Sequence, residues 1–387
     1  MELMSKLPDV GTTIFTVMSK LAVAHNAINL AQGFPDFDTD PRLIALVEEA
    51  MRGGHNQYAP MPGLPELNSS IADKLQQDYG WRPDPDTEIT VTSGGTQALY
   101  SIIGAMISPG DEVIVLEPSY DSYIPSVISF GGHVKTFQLQ PPLYNVDWDD
   151  VESLVTPRTK LIMINTPHNP CGVVLEKEDL MQLERIVLRH GLYVISDEVY
   201  EHIIFDGHQH QSVLRYPELY NRSFVVFSFG KSLHVTGWKT GYVIAPPVLT
   251  MELRKIHQFN VFSGNRPMQL AIAHYMQQFG DFGALSSFYQ AKRDLFLDMM
   301  QGLPLVFLPC HGSYFILADY SHASDLPDRV FAERMTIDGG VATIPLSPFY
   351  KNGSNEKIIR FCFAKKESTL QEAANRLRNY FSPLGVG

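Results

Sequence analysis

The sequence predicts an α/β protein with a mainly parallel sheet between helices in a large domain, followed by a smaller α+β domain. Short β-rich runs alternate with helical runs from Glu88 to Ala245, which is typical of an open, mainly parallel sheet. Several β-rich runs are apolar on both faces, as strands covered by two helical layers must be. The C-terminal part changes to a series of strands before one amphipathic helix, which indicates a second unit.

The seven strand candidates of the large domain are rich in Val, Ile and Phe, which favour strands. They are Glu88–Thr92, Glu112–Leu116, His133–Leu139, Lys160–Asn165, Leu192–Ser196, Phe224–Phe229 and Tyr242–Ala245. Between them, apolar residues recur every three or four positions, as in helices that cover one face of a sheet. One such run is Ala98, Leu99, Ile102, Ile103 and Met106.

The smaller domain is predicted from four further strand candidates and a final helix. The strands are Leu305–Leu308, Tyr314–Ala318, Val341–Ile344 and Lys357–Phe363. The helix opens with a capping signal at Ser368 and Gln371. Its apolar stripe is Leu370, Ala374, Leu377 and Phe381. We expect three parts: an N-terminal segment at 1–45 that packs with the small domain, a large domain at 46–275 and a small domain at 276–387.

Charge and hydropathy exclude several classes of partner. The 387 residues include 30 Lys+Arg and 42 Asp+Glu, which gives a formal charge of -12. Because the sequence has no basic run, it is a poor candidate for binding nucleic acid or an anionic membrane. No apolar stretch is typical of a signal peptide or long enough for a membrane span. These features predict a cytoplasmic protein.

Cysteine and histidine patterns predict no metal site. The three cysteines lie far apart, at Cys171, Cys310 and Cys362, so we expect neither a disulfide framework nor structural zinc. Three histidines occur close together, at His202, His208 and His210. No carboxylate or cysteine spacing completes a known metal site around them, and loop histidines are the favoured interpretation.

Five unusual polar motifs follow the predicted carboxyl ends of five strands. They are Gly94-Gly95-Thr96, Glu117-Pro118-Ser119-Tyr120, Asn165-Thr166-Pro167-His168-Asn169-Pro170, Asp197-Glu198-Val199-Tyr200 and Ser228-Phe229-Gly230-Lys231. In open α/β sheets this edge binds ligands. Any one motif could be an ordinary turn. Because all five converge on one edge, we interpret them as parts of a single site.

Lys231 follows a strand in Gly230-Lys231-Ser232, which resembles the end of a nucleotide-binding P-loop. A P-loop requires glycine six positions before the lysine, whereas this chain has Val225. The P-loop interpretation therefore fails. A single lysine on a turn is usually only a solvated surface residue. Lys231 lies instead at the ligand-binding edge near Lys239, and a lysine among other positive groups can act as a nucleophilic amine toward a carbonyl.

Three other positions at this edge have both an ordinary and a functional interpretation. The Gly94-Gly95-Thr96 turn opens a helix whose N-terminus suits a phosphate, although a Gly-Gly turn alone is weak evidence. Asp197 ends an apolar strand and requires a partner, which is either a structural cation or a ring nitrogen of a ligand. Tyr120 is either a core residue or a platform on which a ligand stacks.

Together these motifs resemble the fold type I pyridoxal-phosphate (PLP) enzymes and, among them, the class I/II aminotransferases. The likeness is greatest to methionine, aromatic and kynurenine aminotransferases, and it covers nearly the whole chain. Besides the five motifs it includes three segments: Asn29–Pro35, Tyr58 with Gly63–Leu67, and Ile359–Phe361. Each motif alone is a moderate signal, whereas the ordered set is highly specific. The resemblance implies that the large domain binds PLP as its cofactor.

By this resemblance, three residues carry the catalysis: Lys231, Asp197 and Tyr200. Lys231 resembles the lysine that forms a Schiff base with PLP, and Asp197 resembles the partner of the pyridinium nitrogen. Tyr200 and Asn169 resemble the pair that contacts the ring hydroxyl, and Tyr120 resembles the residue that stacks on the ring. The phosphate is expected to bind at Gly95, Thr96, Ser228 and Lys239. Many relatives have arginine in place of Lys239, a departure that concerns geometry more than function.

The resemblance also implies substrate contacts and a second subunit. Arg360 resembles the arginine that grips the substrate α-carboxylate with two hydrogen bonds. Gly33 is expected to close over that carboxylate, and Phe15 and Asn169 are further expected substrate contacts. Tyr58 is similar to a tyrosine that reaches the phosphate of the neighbouring subunit, which implies a homodimer with shared active sites.

The implied reaction is a ping-pong transamination. An amino acid displaces Lys231 from the cofactor, and the freed amine moves a proton between the substrate Cα and the cofactor as a general acid and base. The first half-reaction leaves pyridoxamine phosphate and a 2-oxo acid. A second oxo acid then reverses the cycle.

Methionine and aromatic or other neutral amino acids are the favoured donors. Candidate side-chain contacts are apolar or aromatic: Ile14, Phe15, Tyr58 and Phe262. Arg266 is the complication, but a packing or solvated arginine is the favoured interpretation. Two other functions stay open, namely β-elimination from cysteine S-conjugates and a non-enzymatic PLP-binding regulator. Such a regulator needs a DNA-binding module, for which a pattern that begins almost at Met1 leaves no room.

Overall fold

A computed structural model describes residues 4–280 and 282–382 of the chain. Its strands form one large and two small sheets. In chain order the strands are β1 Ile28–Asn29, β2 Ile89–Thr92, β3 Glu112–Glu117, β4 His133–Gln138, β5 Thr159–Asn165, β6 Tyr193–Asp197, β7 Ser223–Ser228, β8 Gly241–Ile244, β9 Val306–Phe307, β10 Phe315–Asp319, β11 Val341–Ala342, β12 Ile344–Pro345 and β13 Ile358–Cys362.

Helices connect most of these strands. In chain order they are α1 Ile14–Ala24, α2 Pro41–Arg52, α3 Pro65–Tyr79, α4 Gly94–Met106, α5 Tyr123–Ser129, α6 Trp148–Ser153, α7 Lys177–His190, α8 Pro217–Tyr220, α9 Phe229–Ser232, α10 Pro247–Asn260, α11 Arg266–Phe279, α12 Ala284–Met299, α13 Asp328–Ile337 and α14 Glu367–Phe381. The predicted α/β alternation between residues 88 and 245 is confirmed.

The large sheet is mainly parallel, as predicted. Its strand order is β2-β8-β7-β6-β5-β3-β4, and only β8 runs antiparallel to its neighbours β2 and β7. Each of the seven predicted strands agrees with an observed strand to within one residue at both ends. Since β2 and β7 are both antiparallel to β8, they run in the same direction. The carboxyl ends of β2, β3, β5, β6 and β7 therefore meet at one edge.

Apolar side chains fill both faces of this sheet because successive strand residues point to opposite sides. Val113 and Val115 of β3 belong to a core cluster with α4 and α10, whereas Ile114 and Leu116 belong to the core on the other face. The helical stripe predicted at 98–106 is buried in the first of these clusters. Two helical layers therefore enclose the sheet, which explains its strands' continuous apolar character.

The small sheet has the order β12-β13-β10-β9, and all its neighbouring strands are antiparallel. One predicted strand of this region, Val341–Ile344, is wrong as a single element. Its first half, β11, pairs in parallel with β1 of the N-terminal segment, and the chain then joins the small sheet as β12. The partner β1 lies about 300 positions earlier, so local sequence could not reveal the division.

The predicted capping signal of the last helix is also wrong. Lys366 is the N-cap of α14, and Ser368 lies inside the first turn. The missing cap is supplied by Asp36 of the N-terminal segment, whose carboxylate accepts from the Lys366 N–H at 2.5 Å and the Thr369 hydroxyl at 2.6 Å. A partner distant in sequence therefore satisfies the helix start.

Within the described residues, no helix combines the length and apolar character that a membrane span requires. The three cysteines are free and buried. The boundaries of the three predicted parts, near residues 45 and 275, stay a prediction.

Candidate active site

A cavity of about 310 Å³ opens at the carboxyl edge of the large sheet. Residues of all five polar motifs, the N-terminal segment and the small sheet line it. The predicted site residues that share this lining are Phe15, Gly33, Gly95, Thr96, Tyr120, Asn169, Asp197, Tyr200, Ser228, Lys231, Lys239 and Arg360. The fold thus brings together side chains that lie far apart in the sequence, as the ends of parallel strands do.

Lys231 lies in α9, a single helical turn that begins directly after β7. Its Nζ donates a hydrogen bond of 2.6 Å to the Tyr314 hydroxyl and lies 5.3 Å from the centre of the Tyr200 ring. Desolvation in the cavity lowers the pKa of the Lys231 amine to about 8. At neutral pH about a tenth of this amine is therefore unprotonated and nucleophilic, far more than for an ordinary lysine.

The Asp197 carboxylate is buried at the end of β6. Two neutral donors reach it: the Tyr123 hydroxyl at 2.6 Å and the Val199 N–H at 3.4 Å. Burial raises the pKa of Asp197 to about 6. A buried carboxylate whose donors are neutral favours a cationic ligand group beside it.

The N-terminus of α4 forms an anion-binding wall of the cavity. Gly94 has a left-handed φ of +77°, and a β-carbon there would lie only 3.4 Å from Lys239 Nζ. The side chain of the N-cap residue Ser93 makes no capping bond within the described part of the chain. The first-turn N–H groups are consequently available to a ligand, and together with a lysine they suit a phosphate.

Arg360 of β13 forms another wall and is almost fully buried. Its Nη1 donates to Asn169 Oδ1 at 2.7 Å and its Nη2 to the Ala31 carbonyl at 3.1 Å. Three aromatic rings surround the guanidinium at 3.8–5.2 Å: Phe315, Phe15 and Phe349. Burial lowers the pKa of Arg360 to about 10, so it stays charged at neutral pH. Its Nε is buried and has no hydrogen-bond partner among the described residues.

Three predicted contacts lie outside the cavity lining of this single chain, namely Ile14, Tyr58 and Phe262, and so does Arg266, for which packing is the favoured interpretation. Tyr58 is 80% exposed and packs edge-on against Phe262, with ring centres 5.5 Å apart. Arg266 is the half-buried first residue of α11. Ile14 begins α1, one position before the lining residue Phe15. One chain alone therefore does not join these residues to the cavity.

Sequence reasoning missed two tyrosines that contact the site. Tyr123 holds the Asp197 carboxylate and lies three positions after Tyr120, a spacing that could have indicated it. Tyr314 contacts Lys231 from the turn before β10, 83 positions away. No local pattern connects Tyr314 with Lys231, because only the docking of the small sheet on the large one brings them together.

The histidine group that invited a metal interpretation is divided in the structure. His202 lies with Asp78 and Glu201, whose ligand atoms are all within 4.8 Å of one another. Lys74 Nζ lies 3.0 Å from the Asp78 carboxylate and 2.9 Å from that of Glu201. One ammonium already bridges both carboxylates, so the geometry gives no reason to add a further cation. The absence of a bound metal stays a prediction.

Known proteins share this arrangement over nearly the whole chain. The family described as "Aminotransferase class I and II" matches residues 25–377. The chain is 49% identical over 375 residues to the methionine aminotransferase of Escherichia coli (strain K12), with 97% of each chain covered. It is 32% identical over 410 residues to kynurenine--oxoglutarate transaminase 1 of Rattus norvegicus, again with 97% of each covered. The crystal structure of Escherichia coli YbdL, with a methionine aminotransferase function, matches with 49% identity and a TM-score of 0.95, covering 98% of this chain and 100% of the other.

The chain belongs to the class I and II aminotransferases. It is therefore a transferase that exchanges amino groups between amino acids and 2-oxo acids, and its cofactor is pyridoxal 5′-phosphate. The cavity fits this cofactor, because it offers an amine for the aldehyde, a buried carboxylate for the ring nitrogen and a helix N-terminus for the phosphate. The comparisons favour neither an elimination enzyme nor a regulator without activity.

Proposed function

We propose that methionine is the favoured amino donor and that aromatic and other neutral amino acids are further donors. The observation that carries this proposal is the charge distribution of the cavity. The described residues that line it include three cations, and each has another proposed role. Lys231, near Asp197, binds the cofactor aldehyde, Lys239 at the helix N-terminus binds the phosphate, and Arg360 binds the substrate α-carboxylate. The side-chain carboxylate of aspartate or glutamate would find no further cation in this lining. The similarity to a methionine aminotransferase supports the same donor.

The proposed catalytic residues are Lys231, Asp197 and Tyr200. When bound, the cofactor supplies an electron sink that stabilises negative charge at the substrate Cα. The Lys231 amine binds the cofactor aldehyde in the resting enzyme and, when free, takes and returns the Cα proton. The Asp197 carboxylate keeps the ring nitrogen protonated. Burial raises the pKa of the Tyr200 hydroxyl, so this residue stays a neutral hydrogen-bond donor toward the ring oxygen.

Arg360 and Asn169 are the proposed receptors of the substrate α-carboxylate. Their mutual bond fixes the plane of the guanidinium before the substrate arrives. Gly33 lies against this wall, since a β-carbon there would be 2.4 Å from the Phe315 ring. The absence of a side chain lets the N-terminal segment approach the carboxylate closely, while Phe15 shields that end from water.

The cofactor phosphate is assigned to the start of α4. The N–H groups of Gly95 and Thr96, the Ser228 hydroxyl and Lys239 Nζ are its proposed donors. The Tyr120 ring is the proposed stacking platform for the pyridine, and its hydroxyl lies 3.3 Å from that of Thr96. These contacts fix the two ends and the face of one planar molecule.

Donor specificity tests the proposal directly. With a common 2-oxo acid acceptor, kcat/KM for methionine should exceed that for aspartate by about 100-fold, because the cavity would bury the second carboxylate unpaired. Phenylalanine should fall between them. Initial rates measured across these three donors decide the order.

Arg266→Ala is the matched control for this experiment. If Arg266 only packs at the start of α11, the variant keeps the same donor order. A wild-type enzyme that prefers aspartate, with this preference lost in Arg266→Ala, would contradict the proposal. Release of pyruvate from a cysteine S-conjugate without an oxo-acid acceptor, faster than transamination, would contradict it in favour of elimination.

We further infer that the enzyme is a homodimer whose active sites each include Tyr58 from the other subunit. Tyr58 supports this inference because so large and so exposed an aromatic ring, packed edge-on against Phe262, is typical of an interface. A cytoplasmic location is part of the same proposal, since three buried free thiols suit a reducing compartment.

A dimer predicts a specific effect of Tyr58→Phe. Sedimentation should give twice the mass of one chain, and loss of the hydroxyl should weaken PLP binding about tenfold, the scale of one hydrogen bond to a charged group. Tyr100→Phe, an exposed tyrosine of α4 beside Phe130, should bind PLP as the wild type does. A monomeric wild type, or unchanged PLP affinity in Tyr58→Phe, would exclude the shared site.

A further inference from the structure

We propose that Tyr314 is a positioning residue that holds the free Lys231 amine and ties it to the N-terminal segment at Gly33. This inference rests on the proposed function, in which Lys231 is alternately bound to the cofactor and free. It assigns a role to a residue of the turn before β10 that otherwise only packs beside the cavity.

Two short hydrogen bonds in series, from Lys231 to Tyr314 and from Tyr314 to Gly33, form what we call the relay. Lys231 Nζ donates to the Tyr314 hydroxyl oxygen at 2.6 Å, and the Tyr314 hydroxyl donates to the Gly33 carbonyl at 2.7 Å. A tyrosine has one hydroxyl proton, and here it is donated in the hydrogen bond to the Gly33 carbonyl. The Tyr314 oxygen can therefore only accept from Lys231, so the direction of both bonds is fixed.

Two backbone hydrogen bonds attach the turn that carries Tyr314 to two loops of the large domain. The Gly312 N–H donates to the Gly172 carbonyl at 2.8 Å, in the loop that follows Asn169. The Ser313 N–H donates to the Ile203 carbonyl at 2.9 Å, shortly after Tyr200. Ser313 itself has a left-handed φ of 63°, a conformation that non-glycine residues adopt only where surrounding contacts hold it. Tyr314 is therefore placed by the same loops that place two other site residues.

The other end of the relay is held equally firmly. Lys365 Nζ donates to the Phe34 carbonyl at 2.7 Å, one position after Gly33. Asp36 caps α14, as described above. Several hydrogen bonds thus hold the N-terminal segment on the small domain. The bond made by the Tyr314 hydroxyl also connects this segment to the catalytic amine.

Simple core packing does not explain this arrangement. Tyr289 provides the comparison, because it is as deeply buried and its ring centre lies 5.8 Å from that of Tyr314. Its hydroxyl has no hydrogen-bond partner among the described residues. Packing alone therefore leaves a hydroxyl unpaired here, whereas Tyr314 is bonded on both sides.

The surroundings of Lys231 show why a neutral partner matters. Four charged or titratable groups act on its amine: Cys362 and Asp197 favour its protonated form, whereas Lys239 and Arg360 disfavour it. A carboxylate in the place of Tyr314 would hold the amine as an ammonium, which cannot accept the Cα proton. A hydroxyl fixes the position of the amine while leaving it able to lose its proton.

The test uses the apoprotein, so that it does not depend on turnover. Tyr314→Phe keeps the ring and removes only the hydroxyl, and Tyr289→Phe removes an equally buried hydroxyl outside the relay. Trace labelling with acetic anhydride across a pH series, followed by mass spectrometry of the Lys231 peptide, gives the titration midpoint of that amine. Hydrogen–deuterium exchange reports the N-terminal segment.

We expect Tyr314→Phe to shift the Lys231 midpoint down by about one pH unit, a tenfold loss in proton affinity, because an acceptor of the charged amine is gone. Deuterium uptake over residues 28–38 should rise in the same variant. Tyr289→Phe should leave both readouts at the wild-type values. Either an unchanged midpoint or an equal change in the two variants would overturn the proposal.

The Tyr314 proposal and the proposed function of Lys231 can be contradicted independently of each other. If Lys231 does not carry the cofactor, borohydride reduction of the loaded wild type will label another residue, and the apoprotein experiment will still report whether the relay exists. If Lys231 does carry the cofactor, single-turnover reaction with methionine should be slowed about tenfold in Tyr314→Phe and unaffected in Tyr289→Phe. An unaffected rate in Tyr314→Phe would also overturn the positioning role.

Discussion

Lys231→Ala should reduce transamination by at least about 10⁴-fold, because the variant loses both the amine that binds the cofactor and the group that moves the Cα proton. The wild type should show a visible absorption band after reconstitution with PLP, and methionine should bleach it. In the variant the protein-bound band should change and no longer respond to single-turnover amounts of methionine.

Two measurements give this prediction a direct chemical readout. Borohydride reduction of the loaded wild type should attach the cofactor to the peptide that contains Lys231, and the same treatment of Lys231→Ala should attach none. A small external amine such as methylamine should restore part of the activity, since it can take over the proton transfer without being tethered.

Lys255→Ala is the matched control, because Lys255 is an exposed residue of α10 that pairs with Glu252 at the protein surface. That variant should retain wild-type absorption and activity. A Lys231→Ala enzyme that still transaminates methionine within tenfold of the wild type would contradict the assignment of the catalytic amine.

The part of the site that the sequence predicts well lies on the large sheet. A run of apolar residues defines a strand, and the residue that follows it is fixed at the sheet edge by the strand's direction. Asp197 and Lys231 could therefore be placed near each other without knowledge of their side-chain contacts. The prediction succeeds because parallel strands convert sequence order into a shared edge.

The parts that the sequence did not predict depend on contacts between elements far apart in the chain. Tyr314 reaches Lys231 only because the turn before β10 docks on the loops after β5 and β6. The start of α14 is capped by Asp36, about 330 positions away, so its own first turn carried a misleading signal at Ser368. Tyr58 is predicted only through the family resemblance, since a residue whose proposed partner is another subunit has no pattern of its own in the local sequence.

The burial of Asp197 allows two predictions of opposite sign for its replacement by asparagine. The apoprotein should become more stable, and the enzyme should become less active. Burial raises the pKa of Asp197 from 3.8 to about 6 in the folded apoprotein. The folded state therefore binds more protons than the unfolded state between about pH 4 and pH 6. Stability of the apoprotein should fall as the pH rises through this window, by about 3 kcal/mol in total.

Asp197→Asn should accordingly stabilise the apoprotein at neutral pH and remove this loss. The amide oxygen can still accept from the Tyr123 hydroxyl, while the buried negative charge is gone. We expect Tm to rise by roughly 3–6 °C at neutral pH, and the difference from the wild type to disappear below about pH 4. Thermal unfolding of both apoproteins across pH measures this directly.

The same substitution should lower kcat/KM for methionine by at least about 10³-fold, since a neutral amide cannot stabilise a protonated ring nitrogen. Asp328→Asn separates this effect from a general response to losing a buried carboxylate. Asp328 is equally buried, but it accepts from the Ser347 N–H at 2.6 Å and the Ser347 hydroxyl at 2.8 Å. Its replacement should lower Tm and leave kcat/KM within a few-fold of the wild type.

These opposite outcomes distinguish a functional carboxylate from a structural one. Asp328 accepts three hydrogen bonds of 2.6–2.8 Å, from the Arg329 N–H, the Ser347 N–H and the Ser347 hydroxyl, so the fold satisfies its buried charge. Asp197 accepts one short bond from the Tyr123 hydroxyl and a long one of 3.4 Å from the Val199 N–H, and the nearby Lys231 amine compensates its charge only in part until the cofactor binds. A variant Asp197→Asn that is both less stable as the apoprotein and active within tenfold of the wild type would show that Asp197 is a structural residue. A more stable, inactive variant would show that the fold keeps this charge at the expense of its own stability, for the sake of the cofactor ring.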